Sequence, residues 1–501
     1  MDERTSRAEK VIRLRESGVD PYPHLYVRSH TIGEAREAYK ADQDMLKASP
    51  VQLAGRLIEV RRMGKVIFAR IEDQDDAIQI YLALDKTQDY LRFKELVDRG
   101  DVVGVEGPLF VTKTGELTVQ THRFELLAKA LQPMPEKFHG LKDLETKRRQ
   151  RYLHLMSDGE ARQLFRKRSQ IFSSVRNFME GHGFLDVQTP MLQPIYGGAA
   201  ARPFVTHHND LKRDLYLRIA QELYLKRLIV GGFDRVYEMA PVFRNEGIDS
   251  THNPEFTMME AYQAYADYSH MMDLVEALVR HVAQEVNGSY ELPSREVDGS
   301  QVKIDVGKPW RRLAYFDALR EYAGVDLSPS ASRVEALGAA ESVGILGGDL
   351  EGLGSEQIIG EIFDQRVEEK LIEPTLILDY PAALCPLTKR HRESPLLAER
   401  FEPYIAGFEL GNAFSELNDP EYQRAQFVAQ GRAAQAGDEE AHPMDDDYIN
   451  ALEYGLPPTG GLGIGMDRLV MLLTGMSSIR DVILFPLQRQ LPEERNRGES
   501  R

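Results

Sequence analysis

The spacing of apolar positions changes along this chain, and each change marks a boundary. Residues 1–45 have helix-like spacing, with Arg7 to Glu16 dense in charge and Gly18 and Pro21 stopping the first helix. From Val51 the pattern alternates in short runs at 51–60, 66–71, 77–84, 102–110 and 117–127, with a helical stretch near 90–98. Alternation places successive side chains on opposite faces, so these runs predict five strands.

Five short strands with one intervening helix predict a small closed barrel of the oligonucleotide-binding type, with a generic sandwich as the alternative. A basic, proline-containing stretch follows. Beyond it, Leu164, Phe165, Ile171, Phe172, Val175, Phe178 and Met179 recur at helical spacing until Gly181 and Gly183. The remainder mixes helices with well-separated strands joined by hairpin-like turns. The expected class is therefore α+β, with an antiparallel sheet flanked by helices. The expected organisation is a helical extension (1–45), a barrel (46–131), a linker (132–158) and a larger domain (159–501).

Two segments carry the clearest chemistry. The first runs through Arg244, Asn245, Glu246 and Gly247 to His252, Asn253, Pro254, Glu255 and Phe256. It reads as a hairpin whose returning strand presents Phe256, Met258, Glu260 and Tyr262 on one face. A ring, a carboxylate and a phenol on one face suit a stacked adenine beside a cationic group. Arg244, just before the turn, can reach a phosphate with its planar fork. The second segment is the glycine run Gly460, Gly461, Gly463 and Gly465 leading to Arg468 in a first helical turn. It has neither the dinucleotide G-x-G-x-x-G spacing nor a Gly-Lys-Ser/Thr phosphate loop. Close backbone packing also accounts for its glycines.

Glu409, Asn412 and Glu416 form a third group. Two carboxylates suit magnesium bridging phosphate oxygens. Their spacing equally fits one face of a surface helix. In a strand, Glu409 falls opposite the other two unless Gly411 marks a bulge. Glu222 begins a further helix, where an acid is also a common first-turn residue. His207, His208 and His252 lack metal-ligand spacing.

Composition narrows the setting. Hydrophobic residues at 42% and charged residues at 28% are ordinary for a soluble globular chain. The single cysteine, Cys385, excludes a disulfide framework and fits a reducing cytosol. The charged start, Met1-Asp2-Glu3-Arg4-Thr5, has no signal-peptide core, and no apolar stretch is long enough to span a membrane. A net charge of −17 argues against a nucleic-acid partner, yet basic residues cluster locally. Lys142, Lys147, Arg148, Arg149 and Arg151, then Arg162, Arg166, Lys167 and Arg168, make either a solvated helix face or an RNA-backbone track.

These residues, with several longer strings, resemble the bacterial-type class II lysyl-tRNA synthetases nearly end to end. The strings are Ser17-Gly18-Val19-Asp20-Pro21-Tyr22-Pro23, Arg151-Tyr152-Leu153, Gly197 through Phe204, Leu217-Arg218-Ile219-Ala220, and Gly455-Leu456-Pro457-Pro458 through Phe485-Pro486. Departures are Gln221 where proline is usual, Ala240-Pro241-Val242 before the arginine, and His154 where an acid is common. The resemblance implies an oligonucleotide-binding (OB-fold) barrel reading the anticodon, joined to a class II catalytic domain that forms a homodimer through the 162–190 region. It implies ATP-dependent attachment of L-lysine to tRNA(Lys), with magnesium as cofactor. By motif, Arg244 and Arg468 are catalytic and bind ATP with Glu246, His252, Asn253, Phe256 and Glu409. Gly198, Glu222, Glu260, Tyr262, Asn412 and Glu416 surround lysine, and Glu409 with Glu416 hold the metal. In the barrel, Phe68 stacks on an anticodon base while Arg56, Gln79 and Glu116 read base edges.

The rivals are an aspartyl- or asparaginyl-tRNA synthetase, which shares the fold, and a paralogue that attaches a lysine-like group to a protein. From another class, a non-catalytic RNA-binding protein is expected to have lost Arg244, Glu409 or Arg468.

Overall fold

The computed structural model describes residues 2–42, 49–74, 76–134, 143–297, 300–435 and 441–489. Contacts within the chain separate it into two compact units, Met1–Lys142 and Asp143–Arg501.

In the first unit, every expected strand run is a strand. Seven strands form one sheet in the order Leu109–Val111, Leu117–Gln120, Ala77–Ala83, Val66–Glu72, Val51–Met63, Val102–Gly107 and Arg123–Ala128. Seven arise from five because two runs break. The 102–110 run breaks at Pro108, which has no N–H for a ladder. The 117–127 run breaks where it changes neighbours: Thr121 N–H donates to Tyr81 O, and His122 N–H donates to Glu106 O. Alternate side chains such as Leu53, Ile67, Ile71, Ile80 and Val105 are fully or almost fully buried, forming the core of this unit. Helices Glu3–Glu16 and Ile32–Ala41 precede the sheet, the second opened by a Thr31–Glu34 capping box.

The second unit is built on a nine-stranded sheet. Its main path runs Arg311–Ala314, Thr375–Pro381, Leu397–Ile405, Gly411–Ser415, Thr459–Gly465, Glu255–Ala264, Arg235–Phe243 and Leu185–Asp186, and Phe408–Glu409 pairs with Leu397–Ile405. Pairings are antiparallel except at the two ends, where Arg311–Ala314 and Leu185–Asp186 run parallel to their neighbours. Leu462, Ile464, Ala413 and Met259 bury one face against helices Gly159–Gly181, Tyr268–Asn287 and Met466–Thr474. The opposite face carries the polar side chains of the site.

The long amphipathic helix begins at Gly159, ahead of the first apolar position of its pattern at Leu164, capped by Asp158. Its stripe Ile171, Val175, Phe178 and Met179 enters this chain's own core. The expected linker is not featureless: Leu144–Arg149 and Arg151–Ser157 are short helices. Several residues of the basic cluster are tied down inside the unit. Arg151 is buried and donates to Leu484 O and Arg480 O, Arg148 pairs with Asp481, and Arg168 pairs with Asp467. These three serve packing, not an RNA track; Lys142 lies outside the described residues. Among the described residues, no helix is long and apolar enough to cross a membrane.

Candidate active site

The hairpin forms as its pattern indicates. Arg235–Phe243 pairs antiparallel with Glu255–Ala264, and Phe256, Met258, Glu260 and Tyr262 share the open face. The glycine run is the next strand. Gly465, Gly463 and Gly461 stand opposite Met258, Glu260 and Tyr262. A Cβ at 461 would lie 1.9 Å from Glu416 Oε1 and 2.7 Å from Tyr262 Cε1. Glycine therefore leaves the room that these side chains occupy, while Leu462 and Ile464 fill the core behind.

The strand beyond the glycines settles the spacing of the acidic group. Strand pairing lapses at Leu410 between Phe408–Glu409 and Gly411–Ser415. That interruption brings Glu409 to the same cavity as Asn412 and Glu416, which an unbroken strand cannot do. Gly411 fits because a Cβ there would meet Gly463 O at 2.0 Å.

Guanidinium groups define one end of the site. A cavity of about 310 Å³ gathers Arg244, Glu246, His252, Asn253, Phe256, Glu409, Asn412 and Arg468. Arg244 stands 5.3 Å over the Phe256 ring and has only long contacts, to Ile219 O at 3.4 Å and Met258 Sδ at 3.8 Å. Burial pulls its pKa below the usual arginine value, with Glu246, Glu409 and Glu260 acting against that and Arg468 adding repulsion. Among the described residues no carboxylate hydrogen-bonds it, which leaves its planar fork available to an incoming polyphosphate. Arg468 is held at the helix start by Glu409 O at 2.8 Å and Glu409 Oε2 at 3.2 Å. His252 is oriented by Asp249 at 2.8 Å. Asn253 Oδ1 is buried without a hydrogen bond.

Carboxylates define the other end. Glu222, Glu260 and Glu416 line a cavity of about 890 Å³ together with Gly198, Arg244, Tyr262 and Asn412. Gly198 has φ +89°, and a Cβ there would press on Glu222 at 3.0 Å. Glu260 accepts from Tyr262 O–H at 3.1 Å and from the Gln221 backbone N–H at 3.0 Å. The proline that the resemblance leads one to expect at 221 could not make the second bond, so Gln221 gives Glu260 an extra donor. Burial still pushes Glu260 up to about 7 and Glu416 up to about 8, and raises Glu222. Each of the three carboxylates would be relieved by an incoming cation. Lys226, which the sequence reading passed over, pairs with both Glu222 and Glu416. Its only sequence signal is the four-residue step from Glu222 along one helix face.

Behind Glu409 lies a second acidic group that was also missed. Glu402 pairs with Arg400 and accepts from Tyr380 and Tyr404 at 2.6 and 2.8 Å. Burial, then Glu402 or Glu409, raises Asp364 and Glu368 to about 7. Among the described residues, no three His, Cys, Asp or Glu side chains converge as a metal cage. Magnesium commonly uses only one or two carboxylates and takes its other ligands from water and phosphates. Glu409 suits that role, since burial and Glu402 raise its pKa and a cation would relieve both. Glu416, expected to share the ion, has one oxygen facing Lys226 and only Oε1, buried without a hydrogen bond, left for an incoming cation.

In the first unit, Phe68 lies 5.1 Å from Tyr81, and Tyr81 lies 6.2 Å from Phe110. Gln79 shares the Tyr81 face of its strand, next to Arg70, and Arg70 contacts Glu116 at 3.3 Å. Three of the four residues expected to read RNA thus fall on one aromatic-centred surface. Arg56 lies farther along the same sheet face, opposite Glu72, where it donates to Gly100 O at 2.8 Å. Arg61 is exposed and stands directly opposite Phe68. Tyr81, Phe110, Arg61 and Arg70 were missed because cross-strand register decides their neighbours.

Comparison with known proteins agrees with this layout. Residues 143–489 match the family model for tRNA synthetases class II (D, K and N). Residues 51–127 match the OB-fold nucleic acid binding domain. The chain is 50% identical over 486 residues to a lysine–tRNA ligase of Pelotomaculum thermopropionicum, covering 96% of this chain and 94% of that one. It is 53% identical over 484 residues to the lysine–tRNA ligase of Roseiflexus castenholzii, covering 96% and 97%. A lysine–tRNA ligase of Staphylococcus haemolyticus is 49% identical over 496 residues, covering 98% and 99%.

Proposed function

The chain belongs to the class II tRNA synthetases, among the lysine–tRNA ligases, and from that premise we propose how its own residues divide the work. The reaction joins L-lysine to tRNA in two steps. The lysine carboxylate first attacks the α-phosphorus of ATP, giving lysyl-adenylate and releasing pyrophosphate. A ribose hydroxyl of the terminal tRNA adenosine then attacks the lysyl carbonyl, and AMP leaves.

One observation carries the assignment of ends: buried carboxylates at 222, 260 and 416 share a cavity with Arg244, which also lines the Arg468 cavity. An ammonium removed from water needs paired acceptors, and three carboxylates supply them. The same acids repel aspartate and give asparagine no counter-charge. Glu416, Tyr262 and Asn412 receive the side-chain ammonium, while Glu222, Glu260 and Gly198 surround the α-amino end. Phe256 stacks on adenine, with Glu246, His252 and Asn253 around the nucleotide. Arg244 takes the α-phosphate and Arg468 the γ-phosphate side. No enzyme nucleophile is required. Positioning and pre-aimed donors lower the barrier, each well-placed donor contributing roughly 2.7–4 kcal/mol. Glu409 would hold magnesium, which when bound offsets phosphate charge; Glu416, expected to share the ion, keeps its one free oxygen for the lysine ammonium.

The Phe68 surface would stack anticodon bases of tRNA(Lys), with Gln79 and Glu116 at base edges. Exposed Leu185, Met191, Leu192 and Val205, in the segment after the long helix, support a homodimer, and the single cysteine, Cys385, suits a reducing cytosol. The test is Glu416→Gln in lysine-dependent ATP–pyrophosphate exchange. Loss of exchange is expected, and an unchanged rate removes Glu416 from the lysine site.

A further inference from the structure

Lys226 lies one turn after Glu222 on the helix Glu222–Val230 and is completely buried. Its Nζ meets Glu222 Oε1 at 2.5 Å, pairs with Glu416 Oε2, and stands 5.9 Å from the centre of the Tyr262 ring. Lys226 does not itself line the large cavity, whereas both carboxylates do. It therefore sits behind the site, tying a helix to the segment after strand Gly411–Ser415. Stability alone is a weak reason for such a residue, because desolvation offsets most of what a buried ion pair gains. Glu416 Oε1, the atom turned away from Lys226, packs over Gly461 and makes no hydrogen bond.

We infer that Lys226 is a positioning residue for the amino-acid substrate, holding one oxygen of Glu222 and one of Glu416 so that the carboxylates keep a fixed spacing at the cavity wall. The inference rests on the reading of this cavity as the lysine site. With Lys226 removed, Glu222 and Glu416 repel each other across the vacated space and neither is held in place.

The test compares Lys226→Met, which keeps most of the volume, and Lys226→Ala, which opens a gap, in ATP–pyrophosphate exchange. Lysine KM should rise about tenfold or more in both, with ATP KM changing by less than about twofold. Propylammonium should bring the lysine KM of Lys226→Ala back toward wild type, and 1-propanol should not. A merely structural lysine predicts equal changes in both KM values, or recovery with either additive. Those results overturn the inference, as does an unchanged lysine KM. Wild-type protein without lysine-dependent exchange would instead refute the reading of the cavity, so the two failures are distinct.

Discussion

Gly461→Ala is a small substitution aimed at the middle of the site. The added Cβ would stand 1.9 Å from Glu416 Oε1 and 2.7 Å from Tyr262 Cε1. Ordinary contact begins at 3.4 Å, so the carboxylate oxygen has to retreat by about 1.5 Å. Gly461 is not among the positive-φ residues, so backbone strain adds nothing and the cost is local crowding. Overpacking of this kind costs about 1–3 kcal/mol, which corresponds to roughly five- to 150-fold in binding. The neighbouring glycines supply an internal scale. A Cβ at 463 meets Asn412 Oδ1 and Met258 Cε at 3.3 Å, and one at 465 meets nothing closer than 3.5 Å. ATP–pyrophosphate exchange at saturating ATP and varied lysine should therefore show lysine KM rising in the order 465, 463, 461. ATP KM should move little at 461. A wild-type lysine KM for Gly461→Ala, or an equal effect from Gly465→Ala, refutes the argument that the glycines make room for the lysine pocket.

Lysine binding at pH 7 should release protons, because Glu260 and Glu416, raised to about 7 and 8 in the free site, ionise when ammonium groups arrive. Titration calorimetry in two buffers of different ionisation enthalpy reads the number and sign, and proton uptake would contradict the account. Gln221→Pro removes an N–H that favours ionised Glu260, so the Glu260 pKa should rise. Since ionised Glu260 is the form that receives an ammonium, the pH profile of lysine KM should move to higher pH, and a shift to lower pH would count against it. Phe68→Ala should charge tRNA poorly yet form adenylate normally, with Tyr81→Ala acting in the same direction. Equal loss of both activities would argue against that division between the units.

What the sequence made legible was local. Two-residue alternation placed Phe256, Met258, Glu260 and Tyr262 on one face, because a hairpin return strand needs only its own pattern. The strand runs of the first unit were visible for the same reason, although Pro108 and the change of neighbours at Thr121 divided two of them. Glu409, Asn412 and Glu416 were ambiguous because their meeting depends on the lapse at Leu410 and on the close approach of Gly411 to Gly463. Arg61 stayed unmarked because only the strand register sets it opposite Phe68. Lys226 and Glu402 stayed hidden because their partners come from distant segments or were not yet known to face the site. The apolar stripe of the long helix was evident, but its use inside this chain's own core was not.

The account stands on the claim that a carboxylate-walled cavity selects a doubly cationic amino acid beside the nucleotide. ATP–pyrophosphate exchange with each of the twenty amino acids in turn tests that most directly. Lysine alone should support exchange, with aspartate and asparagine at background. Exchange driven by aspartate or asparagine, or equal exchange with several uncharged amino acids, would contradict it.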